Sequence, residues 1–252
     1  MPTIAHASVQ IPDDVTVCIT SCGRIDLLEQ TLASFQRYNK GGRYLLSEDS
    51  TDSDVIETIT NRYPEMKVLS GSERLGLMGS IDRLYSIVET SYIFHLEDDW
   101  AFEGPVQWDA AKEILSARKD VANVSVRMFG EIKEKFRDAS DPDMALDQEF
   151  RVMRSNAHPE FFGWSTNPGL IHRDLYRQYA PFRRLMHDQM SELIKREGRV
   201  VAFLLPGVAR HIGHGRNVTD PTMPARPKSR LRKWSRATKK KLYYLGLRKD
   251  PF

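Results

Sequence analysis

Three consecutive acids, Glu97, Asp98 and Asp99, follow the apolar run Tyr92–Leu96. Carboxylates crowded at the end of a buried strand repel one another and lose hydration, so they need a compensating cation. In an extended stretch Glu97 and Asp99 point the same way, because side chains alternate along a strand. They could share a Mg²⁺ or Mn²⁺ and leave its other coordination positions to phosphates and water. Taken alone, the three acids fit a solvated turn equally well. A second acidic stretch, Ser47 to Asp52, carries Glu48 and Asp49. His211 and His214 lie three apart in a polar segment, a spacing that by itself fits a solvated loop. No H-E-x-x-H pattern is present, which argues against a zinc hydrolase.

These residues need elements to position them. Val15–Thr20, Tyr44–Leu46, Val68–Leu69 and Tyr92–Leu96 read as strands. Between them Ile25, Leu28, Leu32 and Phe35, then Val55, Ile56 and Ile59, then Leu75 to Val88 read as helices. That alternation predicts an α/β fold with a parallel sheet covered by helices on both faces. Ligands of such sheets sit at the carboxyl ends of the strands. Here those ends are 20–24, 47–52, 70–74 and 97–100, four polar stretches aimed at one crevice. Further along, Val106–Leu115 reads as helix, Val121–Met128 as strand, Asp188–Arg196 as helix and Val200–Leu205 as strand. Residues 131–158 are charged and without clear period, which suggests a mobile insertion. Phe161–Ile171 is aromatic and rich in Gly and Pro, and suits a sugar-stacking loop as well as a core segment.

The chain has 252 residues and a formal net charge of +3, which hides a division. Residues 226–252 carry eleven basic side chains and one acidic one, a net of +10, and leave 26 basic and 33 acidic before them. With 40% hydrophobic and 28% charged residues the composition is that of a globular protein, not a disordered or collagenous one. Two cysteines, Cys18 and Cys22, are too few for a disulfide framework or a cysteine-built zinc site. No signal peptide and no spanning helix are expected.

The motifs together resemble the nucleotide-sugar-dependent glycosyltransferases of the GT-A fold, most closely the family-2-type group, which is mostly inverting. Val15 to Arg24 resembles that group's first strand and loop, and Leu27, Thr31, Leu32 and Ser34 its first helix. Ser47 to Asp52 resembles its acidic second-strand end, with Glu48 for the first Asp. Arg74-Leu75-Gly76 to Asp82 resembles its Arg-x-Gly…Asn segment, with Asp82 in place of Asn. Glu97-Asp98-Asp99 resembles the DxD motif, with Glu for its first Asp.

The resemblance implies a mixed, mainly parallel, Rossmann-like sheet flanked by helices. It implies a catalytic domain over 1–220, with a donor-binding half at about 12–100 and an acceptor half at about 101–220. Thr20, Ser21, Arg24, Glu48, Asp49, Arg74, Glu97 and Asp98 would bind the nucleotide-sugar donor, a UDP-sugar by the suitability of a carboxylate for the uracil N–H. Asp99 and His211 would hold Mn²⁺ or Mg²⁺, with Arg216 near the diphosphate. Phe162, Gly163 and Trp164 would meet a glycan or lipid-linked acceptor, and Trp100 would stand at the site rim. Asp188 would be the general base of an inverting transfer, although an Asp there is also a good helix N-cap. His187 replaces the first acid of the family's pair. A retaining transferase, a sugar-phosphate nucleotidyltransferase or a non-catalytic nucleotide-sugar-binding protein are the alternatives.

The tail, 221–252, reads as a basic amphipathic helix. Leu231, Trp234 and Leu242 share one face, and Lys and Arg cover the rest. An anionic membrane surface suits it, because each basic residue near the surface contributes about 1 kcal/mol. This places the expected enzyme in the cytoplasm, peripheral on the inner face of a membrane. A solvated tail is the other reading; nucleic acid is not expected.

Overall fold

A computed structural model describes residues 7–223, 229–244 and 247–248. The chain divides into two units, Met1–Val218 and Thr219–Phe252.

In the first unit the strands of three or more residues are β1 (Val15–Ser21), β2 (Arg43–Glu48), β3 (Lys67–Leu69), β4 (Tyr92–Glu97), β5 (Trp100–Phe102), β6 (Val121–Ser125), β7 (Ser140–Ala145), β8 (Gln148–Met153), β9 (Gly169–His172), β10 (Val200–Leu204) and β11 (Ala209–His211). Its longer helices are α1 (Ile25–Tyr38), α2 (Ser53–Arg62), α3 (Gly76–Tyr85), α4 (Trp108–Ala117), α5 (Arg173–Tyr179) and α6 (His187–Arg196). Among the described residues, nine strands form one sheet in the order β3-β2-β1-β4-β9-β6-β10-β8-β7. β3, β2, β1 and β4 run parallel, β9 lies antiparallel between β4 and β6, and β6 pairs parallel with β10. The sheet is mixed and mainly parallel, as the sequence predicts.

β1 is buried at all seven positions, which is why it reads as a continuous apolar run rather than an alternating one. Val17 and Ile19 face α1 and α4 with Phe35, Phe94, Phe102 and Trp108; Cys18 and Ile93 face α3, α5 and α6 with Ile81, Tyr85 and Met190. Burial on both faces fixes the register, because a one-residue slip would exchange the two sets.

The expected mobile insertion at 131–158 is instead largely a hairpin, β7 and β8, added to the sheet edge. Its alternation is confined to β8, where Phe150 and Val152 are buried on either side of Arg151. β7 carries Pro142 and three non-apolar neighbours, as edge strands do.

In the second unit a helix, α7, spans Arg230–Tyr244. Leu231 and Trp234 on it are 81% and 71% exposed, and Leu242 is also exposed. Residues 224–228, 245–246 and 249–252 of the predicted tail lie outside the described residues. No described helix is long and apolar enough to cross a membrane.

Candidate functional site

β1 and β4 are neighbours, so their carboxyl ends bring residues 20–24 and 97–99 together. The Asp98 N–H donates to the Thr20 carbonyl at 3.1 Å and extends the pairing one step beyond β4. The chain then turns at Asp98 and Asp99 and re-enters as β5. That turn breaks the expected alternation, so Glu97 and Asp99 do not act as a pair. Glu97 accepts a hydrogen bond from the Trp100 indole at 3.4 Å, whereas Asp98 and Asp99 share Arg24.

Asp98 is buried, and its carboxylate receives Ser21 Oγ–H at 3.2 Å, the Cys22 N–H at 3.4 Å and two donors of Arg24, Nε at 3.2 Å and Nη2. Arg24 Nη1 reaches Asp99 Oδ2 at 2.9 Å and the Arg216 carbonyl at 3.1 Å. His211 Nε2 lies 3.4 Å from the same Asp99 oxygen. Burial pushes Glu97 up to about 8, reinforced by the charges of Asp99 and Asp98. Burial also pushes Asp98 up to about 6, and Arg24 pulls against it.

Asp99 is held by its backbone as well. Its carbonyl accepts from the Ile212 N–H at 2.8 Å, and the next residue, Trp100, donates its N–H to Thr31 Oγ1 on α1 at 3.0 Å. β5 pairs antiparallel with β11, with Trp100 opposite His211, which is how a histidine 112 residues later in the chain arrives beside Asp99. The His211 ring packs on Trp100 at 5.2 Å and on His214 at 4.7 Å. Gly213 backs onto the Asp99 carboxylate: a Cβ there would overlap Oδ2 and come within 2.8 Å of Cγ. Arg216 then pairs with Asp26 at the start of α1, at 2.5 and 2.9 Å. Residues 209–216 form a strap across the acidic turn.

Asp99 and His211 therefore meet as the sequence suggests, and a divalent ion fits their spacing. Neighbouring oxygen or nitrogen ligands of an octahedral ion with bonds of roughly 2.1 Å stand about 3 Å apart. No group of three or more His, Cys, Asp or Glu side chains suited to a metal occurs among the described residues. The pair suits an ion that keeps water and takes phosphate ligands from a substrate.

Several other expected contacts have different neighbours. Thr20 and Ser21 are buried and hold Asp98 rather than lining an open cleft. Glu48 is wholly buried; one oxygen accepts the Gly23 and Ser50 N–H groups at 2.9 and 2.8 Å, and Oε2 has no hydrogen-bond partner. Both oxygens of Asp49 accept backbone N–H groups, from Leu75 at 2.7 Å and Gly76 at 2.9 Å, so this acid ties β2 to the start of α3. Arg74 lies 3.9 Å from Asp49 with its side chain a third exposed. Arg216 pairs with Asp26 rather than standing free for a diphosphate. Trp100 is buried beneath the site, not at its rim.

The acceptor-loop residues are also placed differently. Trp164 is 1% exposed and stacks among Phe182 and His187, so it offers no ring face to a sugar. Gly163 lies against α6, where a Cβ would overlap the Ser191 carbonyl; Phe162 packs on Phe136 and Phe203. Trp164 and Phe162 pack inward, whereas Phe161 is exposed and stacks on His158 at 4.3 Å. Asp188 is buried at the second residue of α6, and the N-cap is Met186. The start of α6 packs behind β4: burial and the neighbouring His187 push His95 down to about 3.

Sequence reasoning missed the Asp26 and Gly213 contributions. Gly213 between two histidines was the available signal; nothing in the pattern around Asp26 marks it. Asp82, which stands in place of the family's Asn, accepts the Phe182 and Arg183 N–H groups at 2.8 and 2.9 Å, partners that the motif does not foretell.

No protein-family model matches the sequence, and no curated protein matches it in sequence. In structure the chain is similar to GalNAc-T7 solved with UDP, GalNAc and Mn²⁺, with a TM-score of 0.54 and 14% identity over 91% of this chain and 50% of that one. It is similar to S. aureus TarS 1-349, with a TM-score of 0.51 and 12% identity, and to the same protein in complex with UDP, at 0.50 and 13%. Both TarS comparisons cover 75% of this chain and 57% of that one. The chain has the GT-A fold. It spans between half and three-fifths of the length of these structures. Within the GT-A fold of this chain, the Arg24–Asp98–Asp99–His211 cluster lies at the carboxyl ends of β1 and β4, where sheets of this kind bind ligands.

Proposed function

We propose that this chain transfers a sugar from a nucleotide-diphosphate sugar, a UDP-sugar in the first instance, to a hydroxyl of a glycan or lipid-linked acceptor. The observation that carries this reading is the meeting of Asp99, His211 and Arg24 at one strand end. UDP in two of the similar structures, and GalNAc and Mn²⁺ in one, support it.

Asp99 and His211 would hold Mn²⁺ or Mg²⁺, which when bound would offset the charge that develops on the leaving diphosphate. Arg24 supplies a second positive charge at the same place. Arg74, with its side chain a third exposed, would stand at the margin toward the nucleobase. Asp188 is the proposed base. It accepts the proton of the acceptor hydroxyl as that oxygen attacks the anomeric carbon, with inversion. The exposed Leu231 and Trp234 on a basic helix support peripheral binding to an anionic membrane on the cytoplasmic side, where a lipid-linked acceptor is presented.

The test is calorimetric titration of UDP with Mn²⁺, followed by turnover of a panel of UDP-sugars. Asp99→Asn should abolish Mn²⁺-dependent UDP binding. Asp188→Asn should leave binding intact and cut transfer by about 10²–10⁴-fold. Normal transfer by Asp188→Asn removes the base assignment. Failure of the wild-type chain to bind any nucleotide diphosphate with a divalent ion removes the reading as a whole.

A further inference from the structure

Arg24 stands at the entrance to α1 and divides its guanidinium between two acids. Nε and Nη2 serve Asp98, while Nη1 serves Asp99 Oδ2 and the Arg216 carbonyl. The Asp98 half is fixed, because that carboxylate is buried and receives Ser21 and Cys22 as well. The Asp99 half is more open, with the Asp99 and Arg24 side chains 10% and 17% exposed.

Asp99 Oδ2 is also the oxygen nearest His211 Nε2. An ion bonded to it would stand within about 5 Å of Nη1, since a metal–oxygen bond is roughly 2.1 Å. Like charges at that separation repel strongly in a poorly hydrated site. Gly213 closes the other side of the carboxylate, so Asp99 has little room to turn a free oxygen to the ion. Arg24 and a divalent ion therefore compete for one atom.

We infer that Arg24 is the resident cation of this site: it holds Asp99 in the free enzyme and releases it when a divalent ion arrives with a nucleotide diphosphate. This rests on the donor-site reading above. Release does not require the Asp98 pair to break, because the rigid guanidinium can pivot on its Nε and Nη2 contacts and swing Nη1 away from Asp99. A phosphate oxygen then replaces Asp99 as its anionic partner, in the charge-assisted geometry that guanidinium favours. Asp98 is in this account the anchor of Arg24 and not a ligand of the donor. Metal affinity without nucleotide is held down by Arg24, and nucleotide restores it.

The test is Mn²⁺ binding to the full chain by electron paramagnetic resonance, with and without UDP, for wild type, Arg24→Lys and Asp99→Asn. A lysine ammonium cannot span both carboxylates, and Asp98 should keep it. Without UDP, Arg24→Lys should bind Mn²⁺ about tenfold more tightly than wild type, and the enhancement by UDP should shrink by the same factor. Asp99→Asn should bind Mn²⁺ weakly in both conditions. Equal affinity of folded Arg24→Lys and wild type without UDP overturns the inference and leaves the donor reading standing. Absence of Mn²⁺ and UDP binding in all three proteins overturns both. If circular dichroism shows Arg24→Lys unfolded, wild type labelled with ¹⁵N-arginine is titrated with UDP and Mg²⁺. A change in the Arg24 side-chain resonances on saturation supports the inference, and unchanged resonances overturn it.

Discussion

Replacing Asp49 by Asn tests whether this acid is a structural tie or a nucleotide contact. Its carboxylate is 4% exposed and takes the Leu75 N–H at 2.7 Å and the Gly76 N–H at 2.9 Å. These amides open α3, where no side chain of the N-cap residue serves them. Asparagine retains one acceptor oxygen but turns an NH₂ group toward the second amide. The loss is one hydrogen bond to a charged acceptor, about 1.5–3 kcal/mol, overlapping with the roughly 1–3 kcal/mol of a buried N–H left unpaired. The missing charge at a helix N-terminus removes about 0.3–1 kcal/mol more. Because these contributions overlap, the expected destabilisation is about 3 kcal/mol, or roughly 6–12 °C in Tm for a chain of this size. Urea unfolding should show a lower midpoint at unchanged slope. UDP affinity, measured by calorimetry below the new transition, should fall less than about threefold, because only the seating of Arg74 changes. Stability within about 0.5 kcal/mol of wild type, together with a tenfold or greater loss of UDP affinity, would refute the argument and return Asp49 to the donor.

Gly163→Ala should cost about 3 kcal/mol in urea unfolding, because the new methyl overlaps the Ser191 carbonyl and comes within 2.8 Å of the Lys195 nitrogen, both parts of a helix backbone that cannot yield cheaply. His95 should make stability fall as pH falls. The unfolded chain binds a proton below about 6.5, while the folded site refuses one until about 3, so the contribution is complete above 6.5 and lost progressively below it. That amounts to roughly 2 kcal/mol between pH 7.5 and 5.0, and His95→Phe should flatten the urea-midpoint curve by this amount. Truncation after residue 226 should release the chain from vesicles containing anionic lipid in cosedimentation while leaving UDP binding unchanged; retention on the vesicles would exclude the tail as the anchor.

The order of strands and helices was legible because the strands that build the site are buried on both faces. β1 and β4 have little choice but to read as apolar runs ending in polar residues. The β7–β8 hairpin was not legible, because an edge strand buries few positions and admits Asp and Pro. Trp164 misled for a related reason. An aromatic in a Gly-rich loop looks the same whether the glycine opens space for a ligand or, as here, lets a helix backbone approach. The sequence placed acids at strand ends, but the partners of Asp49 lie 26 and 27 residues away and are backbone amides, which leave no trace in residue type.

The nature of those partners separates the strand-end acids into two kinds. Glu48 and Asp49 are held by backbone N–H groups that belong to turns and a helix start. Such donors cannot leave without local unfolding, so the oxygens they occupy are committed to the fold. Asp99 is held by side chains, Arg24 and His211, each on a flexible stem and each partly exposed. A side chain can exchange one anion for another by turning about its own bonds while the backbone stays still. Asp98 is intermediate, since a hydroxyl and a weak backbone contact fix it while Arg24 covers it. Exchangeable charge therefore concentrates at Asp99 within this acidic edge, and this is where an incoming diphosphate and its cation can bind without disturbing the sheet. The strand-end acids thus give one candidate ligand-binding corner, crossed by the strap from Ala209 to Arg216.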